Sequence, residues 1–497
     1  MNKLQDQHIK KRFVFVILSL LLTTSGFSQI PGSLFMVSDN FYSQMYNPSY
    51  MRSDKAIEIS VLGLGGFTFM NQGSFKISDF ITTPEGKPVI DPINFYNNIP
   101  ENNYFRQNLS VPMAYVHVPT RKGAISFYYK ENASSVFRFK NEAIEYLING
   151  NLEPEYADYS SDKVNLISAG YREFAVGYAK HYNKKLDVGI HAKLLFGSAL
   201  VKAQDWNFKV KTAPDGRMIN FDTDGGGKLA VPVEYRIRPD STILSFDGYQ
   251  AFRKYMTTYK NPGLAVDLGL TYQISDKDKI SVAIRDLGFI WFRDKSMTMY
   301  AIGKYDYIGF DLINAIRWPE EPGYVDPVRL IDIVKDSIRS VWQPKVVEEG
   351  FAYGLGPKTM IHYQHEYSEF LSLGITNQSV IQNNNFQNRF TLSALQKWSY
   401  LSIFESISLH DVNSVSIGAG LQYELQFAQL FLASDNLIAF YHPANNKTFS
   451  VTAGICVLLN NKREKESKKQ KGGARKRNGK FSPHLPFYEN MPDLKKK

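Results

Sequence analysis

His362, His365 and Glu366 stand together as His-x-x-His-Glu. On a helix, two histidines so spaced could share a metal, with the glutamate beside them. The surrounding run Lys358–Tyr367 alternates as a strand does, and residues three apart in a strand point to opposite faces. No metal site is expected there. Asp222, Asp224, Gly225, Gly226, Gly227 and Lys228 suggest a calcium loop or a phosphate cradle. The acidic residue that closes a calcium loop is missing, and phosphate cradles need a strand-to-helix context. A glycine-rich external turn is the expectation. Nucleophilic hydrolysis needs Ser, His and an orienting Asp or Asn gathered in space. His181, His191 and His410 qualify by type alone, and no serine is nominated. The expectation is a non-enzyme with no catalytic residue, no metal and no cofactor.

A second set of polar residues is more informative. His191, Lys193, Asp267, Gln273, Arg285, Gln422 and Glu424 all occupy the polar phase of runs whose other phase is oily. The clearest run is Pro262–Arg293. Leu264, Val266, Leu268, Leu270, Tyr272 and Ile274 alternate with Ala265, Asp267, Gly269, Thr271 and Gln273. That is the period of a strand with one oily and one wet face. Ser275–Lys279 makes a charged turn, and Ile280, Val282 and Ile284 resume the alternation, so the unit is an antiparallel hairpin. The phase shifts at Asp286–Gly288, which is read as the end of the spanning part. Asp267 and Arg285 are placed for a cross-strand pair.

The rest of the chain repeats this pattern. Strands are read at Ile57–Phe69, Leu109–Val118, Gly123–Tyr129, Leu166–Tyr182 and Leu186–Val201, then in the hairpin, then almost continuously from Lys358 to Val457. The count is about fourteen, many of nine residues or longer, where globular strands centre on about five or six. Tilted strands of about nine to eleven residues match a bilayer. Short turns alternate with long connections at 70–108 and 294–357. Short helices are read at Asn141–Gly150, Phe246–Tyr259 and Asp326–Val341. Trp291, Phe292, Trp398 and Tyr400 lie near strand ends, where an interfacial girdle would sit.

Composition agrees. Aromatics are 14% and charged residues 21%. Mean hydropathy is −0.29, and no apolar run is long enough for a membrane helix. The wet phase is mostly Gly, Ser, Ala, Thr and Gln, which suits a crowded barrel interior better than a solvated sheet face. Cys456 is the only cysteine, so no intrachain disulfide forms, and Cys456 is read as a packing residue. The expected fold is all-β: a closed antiparallel transmembrane barrel with a few short helices in long loops.

Residues 1–28 read as a signal peptide: a basic start, the apolar run Phe13–Leu22, and Gly26-Phe27-Ser28 for cleavage. The net charge of +10 is concentrated at the ends. Residues 462–497 hold thirteen Lys or Arg against four Asp or Glu. The body between is close to neutral, so no nucleic-acid partner is expected. The basic tail is read as disordered, available to a periplasmic partner or the cell wall. Residues 29–56 are aromatic and irregular, too broken for a strand and too apolar for a free linker, and the barrel is read over 57–461.

The stretches NPGLAVDLGLTYQISDKDKISVAIRDLGFIWF, NFYNNIPENNYFRQNLSVPMAYVHV, FKNEAIEYLINGN and FLASDNLIAFYHP resemble an uncharacterised family of Bacteroidota outer-membrane barrels. That family is similar to the long-chain fatty acid transporters (FadL-like) and to the PorV-type barrels of type IX secretion. The resemblance implies a fourteen-stranded barrel in the outer membrane of a Gram-negative bacterium, surrounded by outer-membrane lipid, with 29–56 as an internal plug. The transporters carry Asn-Pro-Ala in the plug; here Asn47-Pro48-Ser49 is similar, with Ser for Ala. The tail departs from the usual ending, in which an aromatic closes the last strand. The implied function is passive uptake of a hydrophobic small molecule. The alternative is a docking barrel for secretion, surface attachment or gliding machinery.

Overall fold

The computed structural model describes residues 32–459 apart from 54–55, 62–64, 83–88, 143, 146–157, 214–217, 232–233, 239–240, 246–252, 254–256, 258, 308–344, 383–384 and 412–413. The expected signal peptide, the basic tail and the helix expected over Asp326–Val341 lie outside these residues, as does most of the helices expected over Asn141–Gly150 and Phe246–Tyr259.

The described residues form a closed antiparallel barrel of fourteen strands. In chain order these are β1 (Ile57–Val61 and Phe67–Gly73), β2 (Asn102–Thr120), β3 (Gly123–Lys140), β4 (Asp158–Asn183), β5 (Leu186–Thr212), β6 (Asn261–Gln273) and β7 (Asp278–Phe292). They continue as β8 (Phe351–Gly354 and Lys358–Glu366), β9 (Leu371–Gln382), β10 (Asn385–Lys397), β11 (Leu401–Asp411), β12 (Ser414–Glu424), β13 (Ala428–Ser434) and β14 (Thr448–Leu459). Each strand pairs with its chain neighbours. The ring closes where Ile59 of β1 faces Val457 of β14 on one side and Val116 of β2 on the other.

Tight turns gather at one end, with Arg121-Lys122 joining β2 to β3 and Lys184-Lys185 joining β4 to β5. The first and last strands begin and finish at that same turn end. The longest connections leave from the other, the loop end. The first runs over Ser74–Glu101, narrower than the 70–108 expected, because β1 continues to Gly73 and β2 starts at Asn102. Phe75, Phe80 and Phe95 pack together there, with Phe75 also against Phe105 and Phe139.

Alternation decides what faces out. Leu264, Leu268 and Leu270 are exposed on the exterior, Leu264 at 61%. Leu287, Phe289, Leu373, Leu392, Ile407 and Ile417 continue that oily surface around the ring. Trp291, Trp398 and Tyr400 are also exposed, whereas Phe292 is buried in the lumen. Phe292 therefore does not belong to an exterior girdle. No helix among the described residues is long and apolar enough to cross a membrane; strands are a separate matter.

Two of the wall's irregularities shape the lumen next to the inner segment. Between Val61 and Phe67 the chain gains residues against β14: Ile59 faces Val457, but Phe67 faces Ala453. Gly66 has φ +106 there, and a Cβ would lie 2.2 Å from the Ala453 carbonyl oxygen. In β7, Leu287 pairs with Val266 while Ile284 pairs with Leu268, so Arg285 and Asp286 both stand opposite Asp267. Asp286 takes φ 58, the bulge that turns both side chains inward. The phase shift at Asp286 is thus a bulge within a continuous strand, which runs on to Phe292, and not the end of the wall.

At the loop end the wall rises into a collar. The outer part of β5 leaves β6 and pairs with Ile219–Ala230. That strand pairs with Ser296–Tyr307, which pairs with Lys345–Val347. The Asp222–Lys228 stretch therefore lies inside a strand, not in a glycine-rich turn. The 294–357 excursion likewise contains strands.

A fourteen-stranded ring is too wide for side chains alone to fill, since about eight strands give a lumen that they can fill. Residues 32–51 supply the missing core. They form a 3-10 turn at Ser33–Met36, a helical turn at Phe41–Gln44 and a second 3-10 turn at Pro48–Tyr50. Asn40 caps the helical turn by accepting from the Tyr42 N–H at 2.7 Å. Asn47 caps the last turn by accepting from the Ser49 N–H at 3.1 Å.

Candidate lumen site

The inner segment is seated in the turn half of the lumen. Phe41 packs against Tyr115 and Phe431, with ring centroids 5.7 and 5.6 Å apart. Leu34, Phe35, Met36, Met45 and Tyr46 join one buried cluster with wall residues that include Met360, Leu395 and Phe404. Cys456 belongs to the same cluster. Polar contacts fix the register around the ring. Asn40 Nδ2 donates to Gln422 Oε1 at 2.8 Å, and the Phe41 N–H to Gln429 Oε1 at 3.1 Å. Gln44 donates to Glu58 at 3.0 Å and accepts from the Tyr115 hydroxyl at 2.8 Å. The Gly32 N–H donates to Asp435 at 3.1 Å, and Arg389, wholly buried, binds the other oxygen of Asp435 at 3.0 Å.

Asn47-Pro48-Ser49 lies directly on the wall. The hydroxyl oxygens of Ser49 and Thr271 are 2.8 Å apart. Two glycines allow this approach. A Cβ on Gly189 would stand 2.3 Å from the Pro48 carbonyl carbon, and one on Gly269 would stand 2.2 Å from Asn47 Oδ1. Gly269→Val is expected to unseat the inner segment while the strand ladder stays intact. Limited proteolysis should then cut within 33–51, and the folded barrel should still migrate differently on a gel before and after boiling. Gly303→Val, where a Cβ meets nothing within 4 Å, should leave the segment protected.

Beyond this seat lies a layer of charge. Lys193 Nζ sits 2.9 Å from Glu173, 2.7 Å from Asp267 and 2.6 Å from Asp286. Lys358 binds the second oxygen of Asp286 at 2.6 Å, and Lys130 stands 3.3 Å from Glu173. Asp267 also accepts the Asp286 N–H at 2.8 Å and lies 3.3 Å from His191 Nδ1. The Tyr128 hydroxyl donates to Glu173 at 2.8 Å. Arg285 lies over the Tyr46 ring of the inner segment, 4.3 Å from its centroid. A further apolar cluster with Tyr171, Leu195, Ile290, Phe292, Phe351 and Tyr353 borders this layer. Enclosure between apolar layers strengthens each ion pair and raises the penalty for breaking one.

Glu173, Asp267 and Asp286 offer oxygens within 4.8 Å of one another, a spacing that could hold a metal ion. The Lys193 ammonium already supplies the positive charge at their centre, so the trio reads as an ion-pair cage.

Of the residues singled out from sequence, His191, Lys193, Asp267 and Arg285 come together in this layer, all buried. Asp267 meets Lys193 and His191, whereas Arg285 stacks on Tyr46. Gln422 is also buried but serves the inner segment through Asn40. Gln273 and Glu424 stand apart at the turn end. Gln273 donates to the Ser275 carbonyl at 2.7 Å, and Glu424 is the last residue of β12. Sequence reasoning missed Lys130, Glu173, Asp286 and Lys358. Arg172 and Glu173 are adjacent charges that leave the phase of β4 ambiguous, and the bulge hides Asp286.

The histidines are dispersed. His362 is buried against Thr376 at 2.8 Å, and His365 meets Asp278 at 2.7 Å near the turn end. His410 meets the Ser416 hydroxyl at 2.6 Å, and His181 pairs with Asp187 beside the β4–β5 turn.

Similar solved structures include the toluene transporter TbuX of Ralstonia pickettii, at 10% identity and TM-score 0.39, covering 88% of this chain and 95% of that one. A FadL homologue of Pseudomonas aeruginosa matches at 10% identity and TM-score 0.37, covering 88% and 99%. The toluene transporter TodX of Pseudomonas putida matches at 8% identity and TM-score 0.36, covering 87% and 94%. No curated protein matches the chain. The model of DUF5723, a family of unknown function, matches residues 50–435, which takes in the wall from β1 to β13, and the chain belongs to that family.

Proposed function

We propose that the protein is an outer-membrane barrel of a Gram-negative bacterium that admits a hydrophobic small molecule when its N-terminal plug shifts. The observation that carries this reading is the seat of residues 32–51. It is the aromatic and methionine-lined part of the lumen, and the chain's own segment occupies it. Tyr115, Met360, Phe404 and Phe431 on the wall would become an apolar chamber if the segment moved. Besides its apolar packing, the segment is held by hydrogen bonds, a Lys397–Asp39 ion pair and cation–π contacts of Lys130 and Arg285 with Tyr46, all non-covalent and able to re-form. The oily exterior supports a wall set in lipid, and the basic start followed by the apolar run Phe13–Leu22 supports export. This agrees with the uptake that the sequence resemblance implies.

Purified barrel in lipid vesicles should speed the entry of an apolar fluorescent probe such as N-phenylnaphthylamine over that into empty vesicles. Equal entry rates with and without the protein would count against uptake.

A further inference from the structure

Glu405 interrupts the oily exterior of the wall. It lies in the outward phase of β11 with Leu401, Ile403, Ile407 and Leu409, and it is exposed, as Ile407 and Leu409 are. Glu405 is the middle residue of that set. In β12 the outward set from Val415 to Tyr423 is centred on Ala419, which pairs with Glu405. On the other side Glu405 pairs with Ala394 of β10. The carboxylate therefore stands in a notch between two alanines. No hydrogen bond or ion pair reaches it among the described residues.

Its depth matters. Glu405 is four residues from Leu401 and four from Leu409. At about 3.3 Å per residue and a tilt of about 40°, that is about 10 Å of membrane depth either way. Lysine and arginine reach water from such depths along long stems, but the stem of glutamate is short. A carboxylate in hydrocarbon is costly unless a counter-charge meets it. Because the side chain points away from the lumen, that counter-charge has to approach from the lipid side.

Charge complementarity makes the approaching group a cation. A second copy of the chain does not supply one at this depth. Among the described residues, Arg172 in the outward phase of β4 is buried against Glu131. Lys180 in the same phase lies two residues from the exposed Tyr182, near the turn end. Gln396 of β10 is the diagonal outward neighbour of Glu405, so its amide oxygen is placed to accept from the same cation.

We propose that Glu405 is the contact point for a membrane-spanning protein partner that presents a lysine or arginine at mid-depth, seated between Ala394 and Ala419. The proposal rests on the lipid-set wall of the proposed function and is independent of uptake.

The test uses the full-length barrel in lipid vesicles, with a donor dye on Gly303→Cys in a Cys456→Ala background. The probe is a leucine-rich transmembrane peptide with one central lysine and an acceptor dye; the same peptide with a central leucine is the reference. Energy transfer to the lysine peptide should saturate at a lower peptide-to-lipid ratio than transfer to the leucine peptide. Glu405→Leu should raise the half-saturating ratio for the lysine peptide about tenfold, the worth of one polar contact in lipid. The same variant should insert at least as well as the wild type, whereas loss of a residue that merely held the wall together would lower insertion. Ala419→Phe, which keeps the carboxylate and fills the notch, should weaken the preference as well. Equal saturation by both peptides overturns the proposal, as does a Glu405→Leu barrel that keeps the preference. Transfer between donor-labelled and acceptor-labelled barrels that Glu405→Leu abolishes overturns it in favour of a second copy. A barrel that does not enter vesicles removes the lipid-set wall and this proposal together; an inserted barrel without the preference removes this proposal alone.

Discussion

Lys193→Met should destabilise the barrel more than any other single change considered. It removes the ammonium that lies within 2.9 Å of three buried carboxylates. Removing one partner of a buried ion pair costs about 3–5 kcal/mol, because the remaining charge has no water to solvate it. Here Glu173 keeps Lys130, and Asp286 keeps Lys358, but Asp267 keeps only His191 and one backbone N–H. Asp267→Asn added to Lys193→Met should therefore recover part of the loss. The amide oxygen can still accept the Asp286 N–H, and one buried negative charge is gone. Urea unfolding in vesicles measures both. A Lys193→Met barrel as stable as the wild type would show that the cage is hydrated and energetically idle.

The second large effect is on the outer face of the wall, in the neighbouring strand β6. Leu268 is exposed near the middle of β6. On a soluble protein, an exposed leucine exchanged for arginine changes stability by about 0.5 kcal/mol or less. At the midplane of a bilayer the same exchange costs about 2–4 kcal/mol. Leu268→Arg should thus strongly impair folding into vesicles. Lys304→Met, in the collar on an exposed side chain, should change little. The contrast between Leu268 and Lys304 separates a lipid-facing wall from a solvated one, because both side chains are exposed in the structure.

How much of this was legible beforehand depended on periodicity. The alternation in Pro262–Gln273 puts Leu264, Leu268 and Leu270 in one phase and Asp267 in the other, since register and phase are locked together in a strand; in the structure those leucines are exposed and Asp267 is buried. The same logic failed where the chain breaks period. Asp286 could not be placed, because a bulge is set by how two strands meet, not by either alone. Ala428–Ser434, seven residues long, offers too few alternations to stand out. The Asp222–Gly227 run suggested a turn by its glycines, yet long-range pairing with β5 and Ser296–Tyr307 holds it extended. The ion-pair cage was half visible. His191, Lys193 and Asp267 sit in the polar phase of their strands, but Glu173 and Asp286, which also bind Lys193, and the lysines Lys130 and Lys358 that engage those two carboxylates could not be placed by period alone. The seat of Asn47-Pro48-Ser49 against Gly189 and Gly269 was beyond reach, because nothing local links a motif near the N-terminus to glycines in β5 and β6.

The most direct test is a lock on residues 32–51. Ser49→Cys with Thr271→Cys replaces two hydroxyls whose oxygens are 2.8 Å apart, close enough for sulfurs to reach the bonding distance of about 2.05 Å with a small shift. Cys456→Ala removes the one native thiol. Entry of N-phenylnaphthylamine into vesicles carrying this variant should fall to the empty-vesicle rate on oxidation and return to the wild-type rate on reduction. Equal, protein-dependent entry in the oxidised and reduced states would contradict the claim that movement of residues 32–51 opens the lumen.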